Sequence, residues 1–353
     1  MVVYTFAVDQ FNRTILIFAV ALGAILIALA LGQISNSGGP LTPYVDQLST
    51  FATVFLGIFI EAAPFLLLGT IASGIVEVFF NHDDVARLIP RDPVRGAVAG
   101  AMLGFFFPVC ECGVVPLTRR LFKKGLPLSV GVAFLLAAPV FNPIAIASTI
   151  AAFGVGKMLF LRVGLTLLIA IVVGLIFAAQ KHPEGMLRPN AWAPISGGAE
   201  IAADSTVAAT PFVRPSLRAG LPQVVGVAVD EFFEMGRYLI LGSLLAALMQ
   251  TVVTQSSLLG LSAGPIISVL VLITLAVVLS ICSTVDAFIA LAFTGAFTTG
   301  SVVAFLVFGP MVDIKSTIMY LGVFKRRAVV YLILLPLIMT ILAAVFINLN
   351  TTW

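Results

Sequence analysis

The chain holds three cysteines, and all of them fall inside long apolar runs rather than in loops. Cys110 and Cys112 flank Glu111 in Phe107-Pro-Val-Cys-Glu-Cys-Gly113, and Cys282 lies in Ile281-Cys-Ser-Thr-Val-Asp286. Thiolates prefer soft, thiophilic species. Cys110, Cys112 and Cys282 would therefore form a soft-ligand site if the fold brings them together. The competing reading is that cysteines in membrane helices are small apolar fillers. A Cys110–Cys112 disulfide would be strained at that spacing, and three cysteines make no disulfide framework. A structural zinc lacks a fourth ligand, because His82 and His182 lie far apart in polar loops. No metal and no cofactor is expected.

Ionisable residues inside apolar runs form the second group: Glu61, Glu111, Glu234, Asp286, Asp313 and Lys315. A charge at the centre of a bilayer costs about 3 kcal/mol or more, so its presence points to function by default. Glu61, Glu234, Asp286, Asp313 and Lys315 are candidates for coupling transport to protons or another ion. The competing reading is structural pairing, of Lys315 with Asp313 or of Arg237 with Glu234, or an interfacial place for Glu234. Asn142 and Asp313 sit at prolines that must break their helices, in Pro139-Val-Phe-Asn-Pro143 and Gly309-Pro-Met-Val-Asp313. Carbonyls freed at such breaks, with these side chains, could coordinate a solute. They could equally serve only the freed backbone. The expected substrate-lining set is Cys110, Glu111, Cys112, Gly113, Asn142, Cys282, Ser283, Asp286 and Asp313.

The elements that must position these residues are membrane helices. The chain has 353 residues, 60% hydrophobic and 10% charged, with a mean hydropathy of +1.16. So few charges cannot cover a water-soluble surface, since average soluble domains carry about 25%. A soluble enzyme and a disordered chain are excluded on composition. The net charge of +3 is too small and dispersed for a nucleic-acid partner. Apolar runs cover about 14–34, 48–80, 94–117, 126–153, 157–179, 224–254, 265–293, 301–324 and 328–349, against the roughly 20 residues a crossing needs. The first run is longer than a signal-peptide core and lacks a clean cleavage site, so it reads as a retained helix. Residues 181–223, rich in proline, glycine and serine, read as a mobile cytoplasmic linker.

The chain resembles itself across that linker. Glu61 to Gly69 aligns with Glu234 to Gly242, Cys110 with Cys282, and Pro139 to Asn142 with Pro310 to Asp313. The offsets are 173, 172 and 171 residues (61 to 234, 110 to 282, 139 to 310). Repeated halves place a binding site at their interface. Basic loop residues then test the topology, with Arg119, Arg120, Lys123 and Lys124 placed in the cytoplasm. Nine simple crossings divide loop Lys and Arg eight inside against nine outside. Letting 94–117 and 265–293 enter and leave on one face gives fifteen against two; treating 126–153 and its mate that way gives six against eleven. The expected fold is therefore an all-α integral membrane protein with inverted repeats, about seven crossing helices and two re-entrant hairpins. The alternative is nine crossings. Residues 1–47 form an extra helix and loop with a cytoplasmic N-terminus, 48–180 the first repeat, and 224–353 the second.

At these residues the chain resembles the bacterial predicted-permease family that includes the ArsP-type efflux permeases for trivalent organoarsenicals. The resemblance rests on Cys110-Glu-Cys-Gly-Val-Val-Pro116, Leu117-Thr-Arg-Arg120, Lys123-Lys-Gly125, Pro139-Val-Phe-Asn-Pro143, Cys282-Ser-Thr-Val-Asp-Ala-Phe288 and Phe308-Gly-Pro-Met-Val-Asp313, and it covers about residues 48–349. It implies a permease of the cell inner membrane, with cysteines that handle a soft substrate, and hence a part in arsenic resistance. Thr284 stands where that family typically has a glutamate, and Val285 where it has an alanine.

The combined expectation is a permease that moves a small solute by alternating access, by efflux of a soft, thiol-reactive species. The alternatives are uptake of a sulfur-containing or other small anion, which half-helix N-termini would suit, and a membrane thiol redox protein. The expected partners are the lipid bilayer and the solute, and a homo-oligomer is allowed.

Overall fold

A computed structural model describes residues 42–81, 84, 85, 87, 90, 92–107, 109–180, 186–187, 216–252 and 264–350. The run at 14–34, and with it the orientation of the N-terminus, lies outside the described residues, as does most of the linker.

The described chain is helical. Its helices are α1 (Thr42–Phe79), α2 (Pro93–Leu103), α3 (Glu111–Lys123), α4 (Leu128–Ala137), α5 (Pro143–Phe153), α6 (Lys157–Ala178), α7 (Leu217–Val252), α8 (Ile267–Leu279), α9 (Asp286–Leu291), α10 (Thr299–Met311), α11 (Ile314–Val323) and α12 (Arg326–Asn350). Five stretches are long and apolar enough to cross a membrane: Gln47–Phe79, Lys157–Ala178, Arg218–Val252, Thr299–Val323 and Arg326–Asn350. Their outward side chains are large and apolar, with Ile60, Phe160, Leu342 and Phe346 each about two-thirds exposed. In water such a surface would aggregate; in lipid it is solvated. The chain is thus an all-α, multi-pass membrane protein.

The remaining apolar runs do not cross as single helices. Residues 94–117 split into α2 and α3, 126–153 into α4 and α5, and 265–293 into α8 and α9. A helix of ten residues such as α4 reaches only about 15 Å at 1.5 Å per residue, half of the hydrocarbon thickness. Each break has a local cause. Asn142 caps α5 by accepting the Ala145 N–H, and Pro143 occupies the first helical position. Asp313 and Ser316 form a reciprocal capping box at the start of α11. At the end of α8, Ser280 takes a left-handed backbone (φ 46°), the one positive φ at a non-glycine among the described residues.

The interior is built from the short helices. Every residue of α4 and of α10 from Gly300 to Met311 is buried, while the long α6 and α12 wrap the outside with one face each. Helix α2 packs on α4 and α4 on α6; in the second half α8 packs on α10 and α10 on α12. Helices α1 and α7 pack along each other, α1 on α3 and α7 on α11. The α1–α3 approach is so close that it requires glycine on both sides, Gly69 against Gly113. Of the linker, Met186, Leu187 and residues 216–223 are described: Leu217–Gln223 already belong to α7, the Lys325 N–H donates to the Met186 carbonyl at 2.8 Å, and Leu187 is buried in a bridge to Phe324.

Candidate functional site

The thiols converge. Cys110 ends the extended segment before α3, Cys112 is the second residue of that helix, and Cys282 sits in the break between α8 and α9. The Cys110 thiol has both the Cys112 and the Cys282 thiols as neighbours. All three are free and buried, and the Thr284 hydroxyl donates to Cys282 Sγ at 3.6 Å. The Cys110 and Cys112 sulfurs and a Glu111 carboxylate oxygen lie within 4.8 Å of one another. These are the groups that could hold a soft ion or electrophile, and they come from both halves of the chain. Gly113 donates its N–H to the Cys110 carbonyl at 3.0 Å and brings α3 against α1, where the Phe65 carbonyl lies 2.6 Å from the place of a Cβ.

A charge cluster adjoins the thiols. Lys315 Nζ lies 3.5 Å from Glu111 Oε1 and 3.5 Å from Asp313 Oδ2, with all three side chains buried. Asp313 uses its other oxygen to accept the Ser316 N–H at 2.6 Å. Glu111 Oε2 has no hydrogen-bond partner. Glu61, half-buried on α1, is within electrostatic reach of Lys315 and Glu111, and its Oε1 is buried without a hydrogen-bond partner. Two carboxylates thus face one ammonium beside three thiols, with a third carboxylate near.

The other expected site residues have partners of their own. Asn142 spends its amide on its own break, donating to the Ala138 and Pro139 carbonyls at 3.0 Å each and accepting from Ala145. Its hydrogen-bonding capacity is consumed by backbone. Asp286 pairs with Arg162, whose Nη2 donates to both carboxylate oxygens at 2.9 and 2.7 Å. The same guanidinium donates to the Ser283 carbonyl at 3.1 Å and to Thr149 Oγ1 at 2.8 Å. Ser283 itself is fully buried, its hydroxyl without a hydrogen-bond partner. Glu234 pairs with Arg119 at 2.8 Å rather than with Arg237, whose guanidinium lies over the Tyr238 ring at 5.0 Å.

That last pair belongs to a network the sequence did not announce. Arg120 reaches Glu231 at 3.4 Å and Glu77 at 3.5 Å, Lys124 reaches Glu77 at 3.6 Å, and Ser73 donates to Glu231. Arg119 and Arg120, used above to mark the cytoplasmic side, are buried among acids from α1 and α7. Arg162, counted as a loop residue in the charge tally, is fully buried on α6. Its signal was present: a lone arginine six positions into an apolar run, a place that demands a partner.

An all-α, multi-pass membrane protein whose buried polar groups gather at broken helices is built as a solute carrier. The chain belongs to the family described as predicted permeases, whose model matches residues 47–349. It is 43% identical over 282 residues to the UPF0718 protein YcgR of Bacillus subtilis, covering 80% of this chain and 91% of that one. It is 36% identical over 277 residues to a putative two-component membrane permease complex subunit of Streptococcus mutans, covering 78% and 87%. No solved structure matches. The family is one of transporters rather than enzymes, in line with the expectation from sequence.

Proposed function

We propose that the protein is an inner-membrane permease that exports a small, neutral, thiol-reactive solute by alternating access, a trivalent organoarsenical being the model cargo. The observation that carries this reading is the gathering of three buried free thiols from both halves of the chain, the Cys110 and Cys112 sulfurs within 4.8 Å of each other and Cys282 neighbouring Cys110. A dihydroxy organoarsenical condenses with two thiols, forming two As–S bonds and releasing two waters, with no change of charge. That neutrality suits the site, where Glu111 and Asp313 already outnumber Lys315. An anion would meet net negative charge, so the uptake reading is the weaker one. A redox role for Cys110 and Cys112 would give turnover without solute flux, and the family is one of permeases. The outward direction follows from the family resemblance.

Inverted repeats are the architecture we assign, with the two cysteine-bearing runs as re-entrant hairpins. Packing supports it. The α2–α4–α6 stack has its counterpart in α8–α10–α12, and the α3–α11 contact has its counterpart in α9–α5. Helices α1 and α7 depart from the symmetry, since α1 packs on α3 whereas α7 packs on α11. An asymmetry of this kind is what a carrier caught in one of two states displays. The Streptococcus mutans relative is described as a complex subunit, so a second component is to be sought as well as a homo-oligomer.

The test is flux in proteoliposomes across a panel that includes trivalent organoarsenicals and small sulfur anions, with Cys110→Ser and Cys282→Ser as controls. Arsenical flux lost in both variants is the expected result. Full activity in both removes the thiol site from the mechanism.

A further inference from the structure

Two buried cations flank the thiols, and each reaches across the repeat boundary. Lys315, from the second half, holds Glu111, the residue between Cys110 and Cys112. Arg162, from the first half, holds Asp286 with two hydrogen bonds and the carbonyl of Ser283, the residue after Cys282. The contacts bridge 204 and 124 residues of chain. The elements they join are related: Lys315 ties α11 to the start of α3, and Arg162 with Thr149 ties α6 and α5 to the start of α9. The α3–α11 and α9–α5 contacts are the two that the repeat offset interchanges.

The clamps differ in strength. Arg162 reaches both oxygens of Asp286 from the single Nη2, at 2.9 and 2.7 Å, and its Nη1 donates to Thr149 Oγ1 at 2.8 Å. Lys315 shares its ammonium between two carboxylates at 3.5 Å each, beyond the usual range of a charge-assisted hydrogen bond. Helices α1 and α7 press on the elements of the Lys315 clamp, Gly69 against Gly113 and Gly242 against Lys315 itself. No such reciprocal arrangement is needed merely to bury a solute site.

We infer that Arg162 and Lys315 are positioning residues, each clamping the thiol-bearing limb of the other half, and that releasing one clamp at a time opens the site to opposite faces of the membrane. The inference rests on the alternating-access reading and adds to it the residues that gate the site. Both clamps are closed in this structure. The Lys315 clamp, with longer contacts, opens more readily than the Arg162 clamp.

The three native cysteines are themselves the reporters, since the chain holds no others. A membrane-impermeant maleimide is applied to each side of oriented vesicles carrying the full chain. Arg162→Gln, in a Cys110→Ser/Cys112→Ser background, exposes Cys282 from one face. Lys315→Gln, in a Cys282→Ser background, exposes Cys110 and Cys112 from the other. Each labelling rate is expected to rise by about tenfold or more, as breaking a buried pair allows. The charge-exchanged chain, Arg162→Asp with Asp286→Arg, should regain protection of Cys282. Asp286→Asn reads the same clamp from its acidic side if Arg162→Gln does not reach the membrane. Labelling from one and the same face in both clamp variants, no gain in either, or a charge-exchanged chain that labels as fast as Arg162→Gln overturns the inference. The probe is not a cargo, so a failed arsenical flux assay leaves this readout standing.

Discussion

Replacing Gly69 by alanine separates the geometry of the site from the stability of the fold. A Cβ at Gly69 would lie 2.3 Å from the Gly113 carbonyl oxygen and 2.4 Å from its Cα, where ordinary contact begins at 3.4 Å. Both neighbours are backbone, so no rotamer change can relieve the clash; α3 must retreat from α1 by the difference, 1.1 Å. Overpacking of this kind costs about 1–3 kcal/mol, and alanine in place of glycine in a helix returns about 1 kcal/mol. The net loss of stability is at most about 2 kcal/mol, and the fold survives. The site fares worse, because Gly113 follows Cys112 and Glu111 on the displaced turn. Misplacement by about 1 Å can cost about a hundredfold in a reacting geometry. Flux in proteoliposomes is therefore expected to fall at least about tenfold, with only a small drop in melting temperature in detergent. Gly57→Ala, on the same helix with nothing within 4 Å of its Cβ, is the control and should transport as the unaltered protein. Equal flux in the two variants would refute the claim that the α1–α3 approach sets the thiol geometry.

Lys315→Met leaves Glu111 and Asp313 buried without their cation, and should cost about 3–5 kcal/mol in chemical or thermal unfolding; adding Glu111→Gln should recover part of it. Arg120→Gln should destabilise by about 3 kcal/mol because its partner Glu231 is fully buried. Arg119→Gln, whose partner Glu234 is 24% exposed, should cost less than Arg120→Gln in the same melts. Asn142→Ala should lower stability by about 1 kcal/mol as a lost cap while leaving substrate affinity by isothermal titration unchanged, which separates backbone service from site lining. Glu61→Gln and Asp313→Asn test ion coupling: flux measured over a pH series should change its profile in at least one of them, and an unaltered profile in both removes these carboxylates from coupling.

The breaks were readable because their causes are local. Pro143 opens a new helix after its cap Asn142, Pro310 is accommodated within α10 and the break follows at Val312, and Cys110 caps α3, so that Glu111-Cys-Gly113 form its first turn and the break lies just before them. The pairs were not readable, because a charge inside an apolar run announces that it has a partner but not which one. Sequence proximity offered Arg237 for Glu234, three positions along one helix; the structure supplies Arg119 from α3 instead. Arg162 and Asp286 are 124 residues apart, and Arg120 and Glu231 are 111 apart. Only the packing of α3 against α1 and α7, and of α9 against α5, decides those matches. The convergence of three cysteines was an expectation from the repeat offset, and it required the helix breaks to fall at the same depth from both halves.

The buried pairs also bear on why so few charges are spent inside this protein and spent in this way. Replacing a buried ion pair with apolar residues of the same volume is often neutral or stabilising, whereas removing one member is costly. Stability alone therefore favours leucine and methionine at Arg162, Asp286, Lys315 and Glu111. A cation that reaches into the opposite half does something an apolar contact cannot. Its geometry admits two discrete conditions, paired and parted, with a strong penalty for anything between. In the mechanism proposed above, apolar packing around α4 and α10 holds each half together, and the charged contacts at the starts of α3 and α9 govern how the halves meet. A carrier needs both properties in one chain. The same short helices that expose backbone at the thiols also keep each clamp within one turn of the residues that would hold the cargo.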